Sequence, residues 1–109
     1  MTPDDVRRLA LAMPEAVEGS HMGHPDFRVR NRIFAAMRPE EGVAVVKLPP
    51  EHQRVLLDAE PLLFSPAPGA WGRQGWTRLR LGGCDEATLQ DALRVAWRTV
   101  APRRLVATS

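Results

Sequence analysis

Lysine is almost missing from this chain. Of 15 basic residues among 109, Lys47 is the one lysine and the other 14 are arginines, so any cationic surface here is a guanidinium surface. Cysteine is equally scarce. Cys84 stands alone, which excludes an intrachain disulfide and fits a reducing compartment. Apolar runs extend only a handful of residues, too short for a transmembrane helix. The first residues, Met1-Thr2-Pro3-Asp4-Asp5, are acidic and lack the apolar stretch of a secretory leader; together with the lone cysteine this predicts a cytoplasmic protein with no membrane partner. Nor is there a nucleotide fingerprint. Gly69, Gly72 and Gly75 recur every three residues, but no Gly-Lys-Ser/Thr follows and the segment leads into a strand pattern instead of a helix. No Ser/His/Asp set or paired carboxylates can be specified, so no catalytic residue is named and no cofactor is expected. His21 and His24 near Asp26 lie in a loop pattern that sets no ligand geometry, and no metal site is assigned to them.

What is present is an ordinary globular composition, 44% hydrophobic and 26% charged, at a length that suits one domain over residues 1–109. The formal net charge of +2 conceals blocks. Residues 1–20 carry −2, 21–38 carry +3, 39–60 carry −3, 61–81 carry +3 and the remainder +1. A uniformly basic chain would predict a polyanion partner from composition alone; in this one, the placement of the basic blocks decides.

The first helix is signalled by Thr2 as N-cap, Pro3 at the first position and Asp5 as the capping-box acid. Val6, Leu9, Ala10 and Met13 then share one face until Pro14. After a linker through Gly19, His21, Gly23 and His24, the period becomes two. Phe27 and Val29 alternate with Arg28 and Arg30, predicting a half-buried strand. Asn31-Arg32 reads as a tight turn, Ile33 to Met37 as a second strand, Pro39 to Gly42 as another turn and Val43 to Leu48 as a third strand. Pro50 opens a helix whose expected inner face is His52, Val55, Leu56 and Ala59, ended by Pro61. Leu62 to Ser65 is a weak strand, residues 65–75 are too rich in Pro and Gly for regular structure, and Trp76 to Leu81 is a strong strand. There Thr77, Leu79 and Leu81 face one way and Trp76, Arg78 and Arg80 the other. Asp85 caps a last helix with an apolar stripe of Leu89, Ala92, Leu93, Ala96, Trp97 and Val100. The order α-β-β-β-α-β-β-α predicts a two-layer α+β domain, its mostly antiparallel sheet covered by helices on one face.

Several stretches resemble the MmcQ/YjbR family of small bacterial domains. They are Phe27-Arg28-Val29-Arg30-Asn31-Arg32-Ile33-Phe34-Ala35, Leu48-Pro49-Pro50-Glu51, Gly75-Trp76-Thr77, Ala96-Trp97-Arg98 and Ala101-Pro102-Arg103-Arg104-Leu105. Where family members often carry Gly-Lys before the Ile-Phe-Ala segment, Asn31-Arg32 stands here, keeping the charge and altering the turn. The resemblance implies a secretion-chaperone-like fold and a DNA-binding role, and no catalytic motif.

Three functional expectations follow. First, Arg28, Arg30, Lys47, Arg73, Arg78 and Arg80 would line an open sheet face beside Trp76, where guanidiniums could track phosphates of DNA or RNA and the indole could stack on an unpaired base. The competing expectation is a solvated face whose arginines pair with Asp26, Glu40 or Glu41. Second, an exposed sheet could take a protein partner or a second copy. Third, Trp71 and Trp76 could wall a small-molecule pocket, provided the surface around them is concave; otherwise they pin the Pro/Gly loop to the body.

Overall fold

The computed structural model describes residues 1–108. Its first helix, α1 (Pro3–Leu11), starts as expected: the Asp5 backbone N–H donates to the Thr2 hydroxyl at 3.2 Å and the Thr2 backbone N–H to the Asp5 carboxylate at 2.8 Å. The same four residues, Val6, Leu9, Ala10 and Met13, are buried. Six strands follow, interrupted by helices: β1 (Val17–His21), β2 (His24–Val29), β3 (Arg32–Arg38), β4 (Val43–Lys47), β5 (Phe64–Pro66) and β6 (Trp76–Arg80). Between them stand α2 (Pro50–Ala59) and the single turn α3 (Ala70–Arg73), and the chain continues through α4 (Glu86–Val100) and α5 (Arg103–Thr108). All strand pairs are antiparallel, in the order β1-β2-β3-β4-β6-β5. Among the described residues no helix is long and apolar enough to cross a membrane.

The α+β order holds, with one strand and two short helices added. β1 escapes a pattern reading because it has no pattern: an edge strand whose residues are exposed on both faces apart from half-buried Gly19. α3 is one turn within a Pro- and Gly-rich loop. In α2 the inner face differs from expectation. Val55 is exposed, while Gln53 is buried with Leu56 and Leu57 packed beside it. The reason is polar: Gln53 Nε2 donates to the Trp76 carbonyl at 3.2 Å and to the Thr77 hydroxyl at 2.9 Å, so the amide faces inward.

α4 lies across β3 and β4 and against α1, with the expected six-residue stripe buried. Trp97, 1% exposed, donates its indole N–H to the Pro14 carbonyl at 3.0 Å and ties the last long helix to the end of the first. The core therefore lies between the sheet and α1, α2 and α4.

The opposite face of the sheet is set by register. Gly19, Asp26, Ala36, Val45, Arg78 and Ser65 oppose one another across all six strands. Between β2 and β3 the register slips by one residue: Phe27 pairs with Ala35, and Arg28 with Ile33. Phe34 is the extra residue, and both it and Ala35 are fully buried, so this bulge turns Ile33 from the core to the open face.

Candidate functional site

The open face is a groove, not a plane. The segment through α3 rises over β6 to form one wall, and the His21-Met22-Gly23-His24 turn between β1 and β2 forms the far rim. At about 4.8 Å per strand spacing, these walls stand about 19 Å apart across β1 to β6. The groove is open to solvent and has a volume of about 830 Å³. Ile33, Ala36 and Val45 make an apolar floor, and Ala67 and Pro68 continue it up the wall.

Two tryptophans carry that wall. Trp76, on β6, is half-buried, and Trp71, on α3, is 53% exposed at the rim. Their ring centroids are 6.3 Å apart with planes inclined at 41°, a tilted pair of the kind that aromatic quadrupoles favour. The loop holding them is locked by its own backbone. The Ala67 N–H donates to the Trp76 carbonyl and the Leu48 N–H to the Gly75 carbonyl, each at 2.9 Å. Below Trp76, the Thr77 hydroxyl donates to the Gly75 carbonyl at 2.9 Å and accepts from Gln53. The rings are thus presented from a braced segment. Trp71 and Trp76 both line this concavity.

The arginines are placed differently from the simple alternation. Arg28 does lie on the open face, but its Nε and Nη2 donate to the two carboxylate oxygens of Asp26 at 2.8 and 3.0 Å. Asp26 is 1% exposed, and its hydrogen bonds hold the Arg28 guanidinium more firmly protonated than an ordinary arginine. Gly19 is opposite Asp26, and a Cβ there would sit 3.0 Å from both Arg28 Nε and Asp26 Oδ1, so glycine makes room for the pair. Arg78 donates to Glu41 at 2.7 Å. These are the pairings that the solvated-face expectation named.

Arg30 leaves the face altogether. The hairpin turn is Arg30-Asn31, one residue earlier than Asn31-Arg32, because Val29 and Arg32 are the last paired residues. Both turn residues have positive φ, 49° and 67°, as a two-residue hairpin twisted with its strands requires. That conformation swings Arg30 toward the end of α1, where Nε and Nη2 both donate to Glu15. The Arg30 hydrogen bond holds the Glu15 carboxyl below its ordinary range.

Lys47 and Arg80 stand at opposite ends of the β4–β6 pairing. The Lys47 Nζ lies 5.7 Å from the Trp76 ring centroid, a cation–π contact. Arg80 is exposed and donates to the Leu62 carbonyl at 3.3 Å. Arg73 is exposed at the end of α3. Sequence reasoning missed Arg38 at the end of β3, and Met22, 85% exposed on the far rim; both line the groove. Arg38 had a signal, since it keeps the period of Ala36 along β3. Met22 had none, because β1 was invisible.

The remaining reactive groups are quiet. Among the described residues no group of three or more His, Cys, Asp or Glu side chains is arranged to hold a metal ion. The Cys84 thiol is 8% exposed, and burial, reinforced by the charge of Asp85, pushes it above its ordinary value.

A family model described as YjbR matches residues 11–99. The crystal structure of the Deinococcus radiodurans protein DR2400, described with the family-model domain DUF419, is similar to this chain with a TM-score of 0.79 at 22% identity. The match covers 91% of this chain and 78% of that one, and at such identity it concerns the fold alone. No curated protein matches the chain.

Proposed function

This chain belongs to the YjbR family, and from that fold and its groove we propose that it is a binding domain whose open sheet face takes a small ligand through a planar aromatic group. One observation carries the proposal: a braced pair of tryptophans, one of them half exposed, on the wall of a concave and largely apolar surface. An indole left in water forgoes burial worth about 1.5–3 kcal/mol for a large apolar side chain. Nothing in the core requires Trp71 to stand at the rim, whereas a stacked ligand would recover that burial. The ion pairs support the same choice. Arg28, one of the arginines expected to follow phosphates, is engaged on both oxygens of Asp26, and Arg30 is on another part of the molecule with Glu15.

The test is indole N–H chemical shifts in ¹⁵N-labelled protein titrated with 2-(1-naphthyl)ethanol. Trp71 and Trp76 should shift while Trp97, bonded to the Pro14 carbonyl inside the core, stays still. No shift of either groove indole at millimolar probe would dispose of the proposal.

A second reading, an unpaired nucleic-acid strand stacked on Trp76, is favoured by the Lys47 contact and by Arg73 and Arg80, which form no ion pair among the described residues. It predicts oligonucleotide affinity that falls with salt at a log–log slope of about −0.7 per phosphate engaged. Fluorescence anisotropy of the wild type and a Lys47, Arg73 and Arg80 triple alanine variant checks this. Equal binding by the two proteins would remove it.

A further inference from the structure

The groove has an electrostatic asymmetry that its apolar floor conceals. Two guanidiniums, Arg38 on β3 and Arg78 on β6, face one carboxylate, Glu41. Arg78 Nη1 donates to Glu41 Oε1 at 2.7 Å. Arg38 Nη1 is 3.7 Å from Oε2, beyond hydrogen-bonding distance. Each guanidinium has five N–H donors, so most of their capacity remains unused by Glu41. The other carboxylate lining the groove, Asp26, is matched by Arg28 on both oxygens and contributes no net charge with it. Glu40, the neighbour of Glu41 in sequence, is instead 3.6 Å from His24 Nδ1. At the Arg38–Arg78 corner two guanidiniums therefore share the single carboxylate of Glu41.

Its position relative to the tryptophans is dictated by β6. Trp76 and Arg78 are two residues apart on the same face, a separation of about 7 Å along the strand. A ring stacked at the Trp71–Trp76 wall would direct its substituent along β6 to Arg78; Arg38, level with Arg80 in the register and two strands across, is drawn to the same corner by Glu41. Planar guanidinium forks match carboxylate oxygens.

We propose that the occupant of the groove is an aromatic monocarboxylate, its ring against Trp71 and Trp76 and its carboxylate taken by Arg38 and Arg78, displacing none of the Glu41 contacts. This rests on the aromatic-binding function proposed above and adds the charge class to it.

The experiment compares three probes of similar ring size by indole shifts and calorimetry: 1-naphthylacetate, its neutral counterpart 2-(1-naphthyl)ethanol, and 1-naphthyl phosphate. The acetate should bind about tenfold more tightly than the alcohol, the factor one charge-assisted hydrogen bond supplies. An Arg38→Gln, Arg78→Gln variant should bring the acetate down to the alcohol's affinity, with the Trp97 indole resonance reporting an intact core. Glu41→Gln acts in the opposite direction. Removing the shared carboxylate raises the local charge, so the acetate-to-alcohol affinity ratio should rise several-fold. Equal affinity for acetate and alcohol would overturn the carboxylate assignment while leaving aromatic binding standing. Failure of all three probes to move Trp71 or Trp76 would overturn both. A phosphate preference of tenfold or more over the acetate would refute the single-charge assignment.

Discussion

Gly75 is where the fold and the groove meet, and Gly75→Ala is the most informative single substitution. Its φ of +106° is outside the region that an L side chain adopts readily. A Cβ at this position would be 1.9 Å from the Leu48 carbonyl oxygen, more than an ångström inside the closest approach of real Cβ atoms. Backbone on both sides must move, because the obstacle is a carbonyl and not the end of a flexible side chain. Strain at such a φ costs about 1–3 kcal/mol. Displacing the loop also weakens two hydrogen bonds that the Gly75 carbonyl accepts, from Leu48 N–H and from the Thr77 hydroxyl, each at 2.9 Å. These contribute about 0.5–1.5 kcal/mol apiece. The expected loss is about 2–6 kcal/mol, a large share of the roughly 5–15 kcal/mol that holds a typical domain folded. Urea unfolding followed by tryptophan fluorescence measures it, and the melting temperature should fall by roughly 10–25 °C. Gly82→Ala is the control: no atom lies within 4 Å of the point its new methyl carbon would occupy, so stability should change by less than about 1 kcal/mol. A Gly75→Ala protein within 1 kcal/mol of wild type, on the order of the control's range, would refute the steric account of this loop.

Three further outcomes are expected. Asp26→Asn should destabilise by about 1–3 kcal/mol in the same urea assay, because a buried acceptor loses the charge that its two bonds from Arg28 rely on; unchanged stability would mean the pair is no more than a surface contact. Gln53→Leu and Thr77→Val each orphan a polar partner, so the double variant should lose less than the sum of the singles by about 0.5–3 kcal/mol, and strict additivity would show that the two groups are not coupled. Asp85 and Asp5 are both held below their ordinary carboxyl value of 3.8, Asp85 by the Thr88 backbone N–H and Asp5 by the Thr2 backbone N–H. Depressed carboxylates stabilise the fold fully above that ordinary value, and the contribution disappears as pH falls through the lower folded value. Asp85→Ser, which retains a capping oxygen without the charge, should therefore lose the charge's contribution at pH 6 and flatten the loss of stability below pH 3.8; an acid limb superimposable on wild type would contradict this.

Two helices were legible in their N-caps and buried faces, although α1 ends at Leu11, ahead of Pro14. The capping box at Thr2 and Asp5 and the stripe from Leu89 to Val100 are local devices, fixed by spacing within one element, and they appear as read. Strands β2 and β6 were legible from apolar alternation, and β3 and β4 as apolar runs bounded by turn signals. What failed were features that no local pattern encodes. β1 buries nothing, so it has no periodicity to find. The inward turn of Gln53 depends on polar groups 23 and 24 residues away. The bulge at Phe34 arises from pairing between β2 and β3, and it alone brings Ile33 to the groove floor.

The candidate site shows the same division. Its residue types were evident from the chain: tryptophans beside a Pro/Gly loop, and arginines alternating on strands. Alternation along the strands made these arginines look like a phosphate track, but a charge acts through its nearest neighbours. Which acid stands beside Arg28, Arg30 or Arg78 is settled by register, by one residue of hairpin phase and by a turn between β3 and β4. By itself, the sequence determined the layers of this protein, because burial periodicity is a short-range property. Only the tertiary structure decided that the open face is a groove in which Arg38 and Arg78 share Glu41, because concavity and charge pairing join residues that are distant along the chain.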